Sequence, residues 1–443
     1  MEDLKKYFRT FSFSIVAITL LVLTVFLFMY LFGDYVMIKE NQVKKIYFAD
    51  NISPSHQRVI DKFNQLHKNK IEVIPIDLPF EKFSTNERKE LLIRYLRGKS
   101  DRIDLFSVDQ IWVPRFAKWA EPLSNYFSMP EREQLIPQAL ESCYYKDQLV
   151  AIPLYFDIGI MYYRSDILKT FPDYQKIKNE IDSSITWEKF FELGKRFKNK
   201  SANPFYCFPA SNYEGLICSF VELLESQNQQ LFVSDTIKLN TPEVEKALQM
   251  LVDIVNKDHL APKKIVDFKE TEAYLYFLNN NGLFLRGWPG FLRWYETNIS
   301  NMNIANRFEA APLPHFAGGK TASVIGGWNL MISKYSSNIS EVLEFIRFLI
   351  SEDAQKTFYR YAGYLPVIKA IYDEQPFLNA NPELKFYHRL FRTAVRRPFL
   401  EKYTRYSDVL ANYLNLAIRK ELSVKDALAK AQKIINSNDI FIK

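Results

Sequence analysis

A run of 22 uncharged residues near the amino terminus, Phe11–Phe32, constrains this chain more than any other feature of its sequence. A helix of that length spans roughly 33 Å at ~1.5 Å per residue, which is enough to cross a bilayer. Three basic residues precede the run, so the positive-inside rule leaves the amino terminus in the cytoplasm. The run is longer than a signal-peptide core and lacks a small-residue cleavage site. The sequence therefore predicts a cytoplasmic tail at 1–10, an uncleaved single-pass transmembrane anchor at 11–32, a linker at 33–43, and an extracytoplasmic remainder.

The exported part begins with alternating strand-like and helix-like segments. Apolar runs are predicted to be strands at Lys44–Phe48, Ile71–Ile76 and Ile103–Val108, with predicted helices at Ser55–His67 and Glu87–Arg97 between them. This alternation is typical of an α/β fold with a parallel sheet covered on both faces. Ligands of such sheets bind beyond the carboxyl ends of the strands, where Asp50 and Asp109 stand.

Composition narrows the possible function classes. The chain has 443 residues, 48% hydrophobic and 25% charged, which excludes both wholesale disorder and a single small module. Its net charge of +7 comes from scattered basic residues, which argues against nucleic acid as a partner. Five separated histidines give no metal-ligand spacing, and 13 glycines form no phosphate-binding loop, so neither a metal nor a cofactor is expected. The three cysteines are expected to be buried thiols, although a disulfide between Cys207 and Cys218 stays possible.

Several short segments, in this order along the chain, resemble the bacterial extracellular solute-binding proteins of ABC importers, specifically the carbohydrate-binding group that includes maltose-binding protein. They are Asp104–Leu123, Leu149–Leu168, Thr186–Glu188, Gly282–Gly290, Ala311–Pro314, Gly326–Ser333, Ser351–Gln355, Gly363–Pro366, Arg397–Pro398 and Tyr406–Ser407. The resemblance covers about Lys44 to Ile435. It implies a two-lobed periplasmic-binding-protein fold of type II, with no enzymatic activity.

The same resemblance implies how the chain divides and what it does. The first lobe would comprise residues 44–153 and 329–364, and the second lobe 155–326 and 367–443. The lobes would close on a sugar or oligosaccharide and deliver it to the permease subunits of an ABC importer in the membrane. Pro153 and Pro366 lie near the expected hinge crossings, where their restricted backbone angles suit a hinge.

A sugar site needs polar side chains for hydroxyl groups and flat aromatic rings for the sugar faces. By position in the family's pattern, the expected hydroxyl ligands are Asp109, Asp157, Glu214 and Arg286. The expected stacking residues are Trp112, Tyr155, Trp288 and Trp328, with Tyr361 and Tyr364 as further candidates. Trp119 and Trp187 are expected to be core residues.

Other interpretations stay open from the residues alone. Asp109 could cap the helix that follows it, and Asp157 could form an ion pair with Arg164. The two lobes could also serve as the sensory subunit of a signalling system. A glycoside hydrolase would use two carboxylates, for which Asp109 and Glu214 could be cast, but no spacing in the sequence fixes their separation.

Overall fold

The computed structural model describes residues 16, 18–31, 43–79, 85–99, 102–233, 236–298 and 305–437. Residues 18–31 form a helix, α1, with exposed side chains. Within the described ranges, no helix combines the length and apolarity needed to cross a membrane. The predicted tail at 1–10 lies outside the described residues, as do both ends of the predicted anchor and all but the last residue of the predicted linker.

Strands and helices alternate through the rest of the chain. The strands are β1 (Lys44–Asp50), β2 (Ile71–Asp77), β3 (Leu105–Asp109), β4 (Tyr144–Tyr145), β5 (Gln148–Leu149), β6 (Ile152–Ile158), β7 (Ile160–Arg164), β8 (Tyr206–Cys207), β9 (Phe232–Val233), β10 (Thr236–Ile237), β11 (Phe284–Gly287), β12 (Phe308–Ala311), β13 (Ser323–Ile332) and β14 (Ala394–Val395). The helices are α2 (Pro54–Leu66), α3 (Thr85–Arg97), α4 (Val113–Phe116), α5 (Met129–Glu133), α6 (Pro137–Leu140), α7 (Ser165–Leu168), α8 (Tyr174–Asp182), α9 (Trp187–Lys198), α10 (Glu214–Glu225), α11 (Pro242–Asn256), α12 (Glu270–Asn279), α13 (Phe291–Asn298), α14 (Ile339–Leu349), α15 (Glu352–Ala362), α16 (Gln375–Ala380), α17 (Glu383–Leu390), α18 (Tyr403–Ile418) and α19 (Val424–Asn436).

The first lobe is built on a sheet in the order β2-β1-β3-β13, and β13 also pairs with β6. β1 is parallel to both β2 and β3, as the apolar runs predicted. Phe48, Phe106 and Met331 belong to the apolar core of this lobe, and all three are fully buried. The start of α2 is set by residues next to it in the sequence. The Ser53 side chain caps the helix by accepting a hydrogen bond from the backbone N–H of His56, and Pro54 is its first residue.

The second lobe has its own sheet and its own core. Its sheet runs in the order β12-β7-β11-β8, with β7 antiparallel to both neighbours and β11 parallel to β8. Helices α9, α10 and α11 supply Phe190, Phe220 and Leu248 to this core. The two separate cores, each under its own sheet, make the fold two-lobed.

Two long antiparallel strands, β6 and β13, pass from one lobe to the other. In β6, Leu154 belongs to the first core and Phe156 to the second. In β13, Leu330 belongs to the first core and Val324 to the second. A third connection follows α15, where Leu365 exchanges backbone hydrogen bonds with Phe156 at 3.0 and 3.1 Å. These three crossing segments form the junction between the two lobes, and residues of both lobes meet there.

Cys143, Cys207 and Cys218 are buried free thiols, so the disulfide left open by the sequence is not formed.

Candidate functional site

Backbone pairing places three of the predicted site residues in one row across the sheet. Trp328 in β13 lies opposite Asp109 of β3 on one side and opposite Tyr155 of β6 on the other. The pairing register shifts directly after Trp328. The row lies where the two crossing strands leave the first lobe, so these side chains face the junction of the lobes.

Two residues before Trp328 in β13, Gly326 lies near two more of the predicted site residues. It pairs with Asp157, and a side-chain carbon at Gly326 would lie 3.1 Å from the Asp157 Cβ and 3.2 Å from the Trp288 ring. Gly327 has φ of 132°, and a side-chain carbon there would lie 2.6 Å from the Tyr155 carbonyl oxygen. The paired glycines therefore allow Trp288 and Asp157 to approach the backbone of β13.

The four predicted stacking residues differ in their exposure. Trp288 and Trp328 are half-buried, whereas Trp112 and Tyr155 are buried. Trp112 packs edge-on against Trp328, with ring centroids 5.8 Å apart, and Tyr155 stacks on the half-buried Tyr364 at 4.0 Å. Each buried ring thus packs against one half-buried ring, Trp112 against Trp328 and Tyr155 against Tyr364.

Each accessible tryptophan has an arginine over one face. The guanidinium of Arg88 lies 4.5 Å from the ring centroid of Trp328, and that of Arg286 lies 4.1 Å from the ring centroid of Trp288. Such cation–π contacts restrain a ring that would otherwise rotate. Two oriented indole rings, one packed on each core, therefore border the junction.

Arg397 connects the predicted carboxylates of the two lobes. Its Nη2 donates to Asp109 Oδ1 at 3.0 Å, and its Nη1 donates to Glu214 Oε1 at 2.9 Å. Glu214 also accepts hydrogen bonds from Tyr403 Oη at 2.6 Å and from Ser407 Oγ. Burial raises the pKa of Glu214 above its ordinary value, although Arg397 and the two hydroxyls act in the opposite direction. Asp109 is thus both an ion-pair partner and the cap of the next turn, accepting from the Ile111 backbone at 3.2 Å.

Arg286 is held within the second lobe. Its side chain is fully buried, and its Nε and Nη2 donate to Glu222 at 3.1 and 2.8 Å. Glu222 also accepts from the Val324 backbone at the start of β13. Arg286 therefore contacts the site through Trp288 and through its charge.

A further polar cluster lies at the end of β1. Asp50 Oδ2 is 3.4 Å from His56 Nε2, and Asp50 Oδ1 is 3.3 Å from Arg88 Nη2. Burial acts to raise the pKa of Asp50, but hydrogen bonding and attraction to His56, together with the charge of Arg88, leave it below its ordinary value. The negative charge of Asp50 is therefore neutralised by Arg88, with His56 as a second partner.

Asp157 differs from the other carboxylates of the site. It is half-buried, and within the described ranges its carboxyl group forms no hydrogen bond or ion pair. Burial, reinforced by the negative charge of Asp109 and only partly offset by Arg286, raises the pKa of Asp157 to about 8. The alternative pairing with Arg164 is wrong, because Arg164 binds Asp166 through its Nε and Nη2 at 2.7 and 2.6 Å.

The structure thus brings all eight predicted residues to the junction of the lobes or directly behind it. Among the further aromatic candidates, Tyr364 stacks within the site, whereas Tyr361 is 48% exposed on the surface beneath the guanidinium of Arg58. Trp119 and Trp187 are core residues, as predicted. In the described part of the chain, no group of three His, Cys, Asp or Glu side chains is arranged to hold a metal ion.

Sequence reasoning missed the cations and hydroxyls that hold these carboxylates. Arg397 was visible only as part of an Arg-Pro pair in the family pattern, and Ser407 only as part of a Tyr-Ser pair. Arg88 stands in a helix rich in charged residues, which gives no sign that its side chain is 1% exposed. The His56 side chain is equally buried, beside Asp50.

The fold and this junction define a class of protein in which two α/β lobes meet at a site lined by aromatic rings and paired charges. The family model for bacterial extracellular solute-binding proteins matches residues 49–356, and the chain belongs to this family, which is one of binding proteins rather than enzymes.

Individual proteins agree with this assignment. A probable ABC transporter-binding protein of Deinococcus radiodurans is 27% identical over 81% of this chain and 84% of its own length. The sn-glycerol-3-phosphate-binding periplasmic protein UgpB of Shigella flexneri is 25% identical over 57% of this chain and 58% of its own. Among solved structures, maltose-bound T. maritima MalE3 is 28% identical with a TM-score of 0.78, covering 89% of this chain and 99% of that one.

Proposed function

We propose that the chain binds a sugar or polyol between its two lobes and delivers it to the permease of an ABC importer. The observation that carries this proposal is the arrangement of two half-buried tryptophans beside acidic residues. Trp328 lies opposite Asp109, which Arg397 links to Glu214 across the lobes, and Trp288 lies near Asp157. Rings stack on the apolar faces of a sugar, and carboxylates accept from its hydroxyls. The relation to a maltose-bound structure supports the same ligand class.

The residues divide by role in this proposal. Trp288 and Trp328 stack on the ligand, Trp112 supports Trp328, and Tyr155 supports Tyr364. Asp109, Asp157 and Glu214 accept hydrogen bonds from ligand hydroxyls. Arg286, whose Nε and Nη2 donate to Glu222, contributes by orienting Trp288. A ligand that contacts both lobes stabilises the closed arrangement by the difference between its affinities for the closed and open forms.

We assign the lobes to 44–153 with 329–364 and to 155–326 with 367–443. The passage of β6 and β13 between separate cores supports these boundaries. The cores depart from these boundaries at two places. Residues 135–139 lie within the first lobe's range, but Leu135, Ile136 and Ala139 pack on the second core. In α18 the first residue, Tyr403, packs on the first core, while the later residues of the helix pack on the second. The carboxyl-terminal segment of the second lobe therefore reaches across to the first.

We also propose that residues 11–32 anchor the chain in the cytoplasmic membrane, with the lobes on the extracytoplasmic side. The support is the uncharged 22-residue run and the basic residues before it. The full chain is expected to stay with the membrane fraction after an alkaline carbonate wash. Release into the supernatant would contradict the anchor and leave the ligand proposal intact.

Ligand binding is tested by a thermal-shift screen of the full-length protein against neutral sugars and polyols. The detergent should be a polyoxyethylene ether, because sugar-headed detergents could themselves occupy the site. A ligand at ~100 times its dissociation constant should add about 2.7 kcal/mol to the free energy of unfolding, which is readily seen as a rise in Tm. A panel without any stabilising sugar or polyol would contradict the proposed function.

Trp288→Ala should weaken the ligand found in that screen by roughly 5- to 30-fold, about 1–2 kcal/mol, because one stacking surface is removed. Trp294→Ala is the matched control: Trp294 is also half-buried and also packs on the second core. Calorimetric titration should show near wild-type affinity for the control. Equal losses in both variants would indicate a general loss of structure instead of a lost contact.

A further inference from the structure

The charges at the junction are not balanced. Four carboxylates lie there, and the described cations that bind them are Arg88 and Arg397, with His56 beside Asp50. Asp50 is bound by His56 and Arg88, while Asp109 and Glu214 share Arg397. Asp157 is left as the one carboxyl group of the four without a bound cation in the described part of the chain.

The nearest candidate cation is already engaged. Arg286 attracts Asp157 through space but directs two of its nitrogens to Glu222, and its Nη1 has no hydrogen-bond partner among the described residues. The Asp157 Cβ and the edge of the Trp288 ring flank Gly326, at 3.1 and 3.2 Å from the position of a side-chain carbon there. A ligand stacked on Trp288 would therefore present its substituents to Asp157.

We propose that the site selects its ligand by charge, with Asp157 binding the amino group of an amino-substituted saccharide. The expected order of affinity is amino sugar, then neutral sugar, then phosphorylated sugar. This inference rests on the proposed function, because it names the ligand class of the same site.

The electrostatics of the junction support each step of that order. An ammonium group supplies the cation that Asp157 lacks, and a charge-assisted hydrogen bond in a half-buried site is stronger than a neutral one. A neutral sugar meets a carboxyl group whose pKa, raised to about 8, keeps it largely protonated at neutral pH. A phosphate would add negative charge near Asp109, whose own charge already raises the pKa of Asp157.

The experiment compares matched ligands on the full-length protein in a polyoxyethylene detergent at pH 7. The probes are glucose, galactose and mannose, each with its 2-amino and 6-phosphate counterparts, and cellobiose with chitobiose. Affinities are measured by calorimetric titration for the wild type, for Asp157→Asn, and for Asp173→Asn. Asp173→Asn is the matched control, because it is the same substitution in the same lobe. Asp173 forms an exposed ion pair with Arg196.

The wild type and the Asp173→Asn control should bind the amino member of a set at least about tenfold more tightly than the neutral member. Asp157→Asn should remove that preference, so that the amino and neutral members of a set bind about equally to this variant. A wild type that binds amino and neutral members equally, or an amino preference that survives in Asp157→Asn, would overturn the inference and leave the proposed function standing. Failure of every probe would overturn both.

Discussion

Arg397→Ala should lower the free energy of unfolding by about 3–5 kcal/mol, the largest stability effect expected from any single substitution at the site. Arg397 is 5% exposed, and its guanidinium lies between Asp109 of the first lobe and Glu214 of the second. Removing it leaves two carboxylates in a poorly hydrated place without their shared cation. Denaturant unfolding of the full-length protein measures the loss.

Two comparisons separate the ion pair from general damage. Arg396→Ala removes the neighbouring arginine, whose pair with Glu141 is largely exposed, and should cost less than about 1 kcal/mol. Combining Arg397→Ala with Asp109→Asn and Glu214→Gln should recover much of the lost stability, because no unpaired charge then remains. If Arg397→Ala does not fold, the triple variant still provides the measurement. A triple variant no more stable than Arg397→Ala would contradict this account.

The sequence predicted the first half of the first lobe well because its signals are local. Apolar runs and helical spacing gave β1, β2, β3, α2 and α3 to within a few residues. β13 is less evident from the sequence, because Gly326 and Gly327 interrupt its apolar pattern. The strand continues through them because Gly327 adopts a backbone conformation that other residues rarely adopt.

The sequence predicted which types of residue form the site, but it did not predict the ion pairs and hydrogen bonds between them. Arg397 pairs with residues 183 and 288 positions away, and no periodicity reports contacts at such separations. Arg88 looked like a residue of a solvated helix face, yet tertiary packing buries it against Asp50 and Trp328. The carboxylates were recognisable by position after strands, whereas the cations that neutralise them are placed by the fold as a whole.

Asp157→Asn should stabilise the ligand-free protein, and the gain should grow as the pH rises from 4 to 8. The folded state holds the Asp157 proton up to a pKa of about 8, whereas the unfolded chain releases it near 3.8. Between these values the folded state binds more protons than the unfolded state, so stability falls as the pH rises, and asparagine abolishes that fall. We expect Asp157→Asn to raise the free energy of unfolding by roughly 1–3 kcal/mol at pH 8.5 and to leave it almost unchanged at pH 4. The range allows for solvent screening of a half-buried group.

The groups around Asp157 do not reverse the predicted gain in stability with rising pH. Asp109 raises the pKa of Asp157 and Arg286 lowers it less than burial raises it. The tyrosines that interact with Asp157 are Tyr155, Tyr274, Tyr364 and Tyr372, and burial raises the pKa of each, so they stay neutral over this range. Asp173→Asn should show almost no pH dependence between pH 6 and 8.5, because a hydrogen bond from Arg196 lowers the pKa of Asp173 and Asp173 is ionised in both the folded and the unfolded state there. Denaturant unfolding at pH 4, 6 and 8.5 should therefore show a growing gain for Asp157→Asn and no such gain for Asp173→Asn. A pH-independent difference for Asp157→Asn would mean that Asp157 is already ionised in the folded protein, and that a cation other than the ligand compensates it.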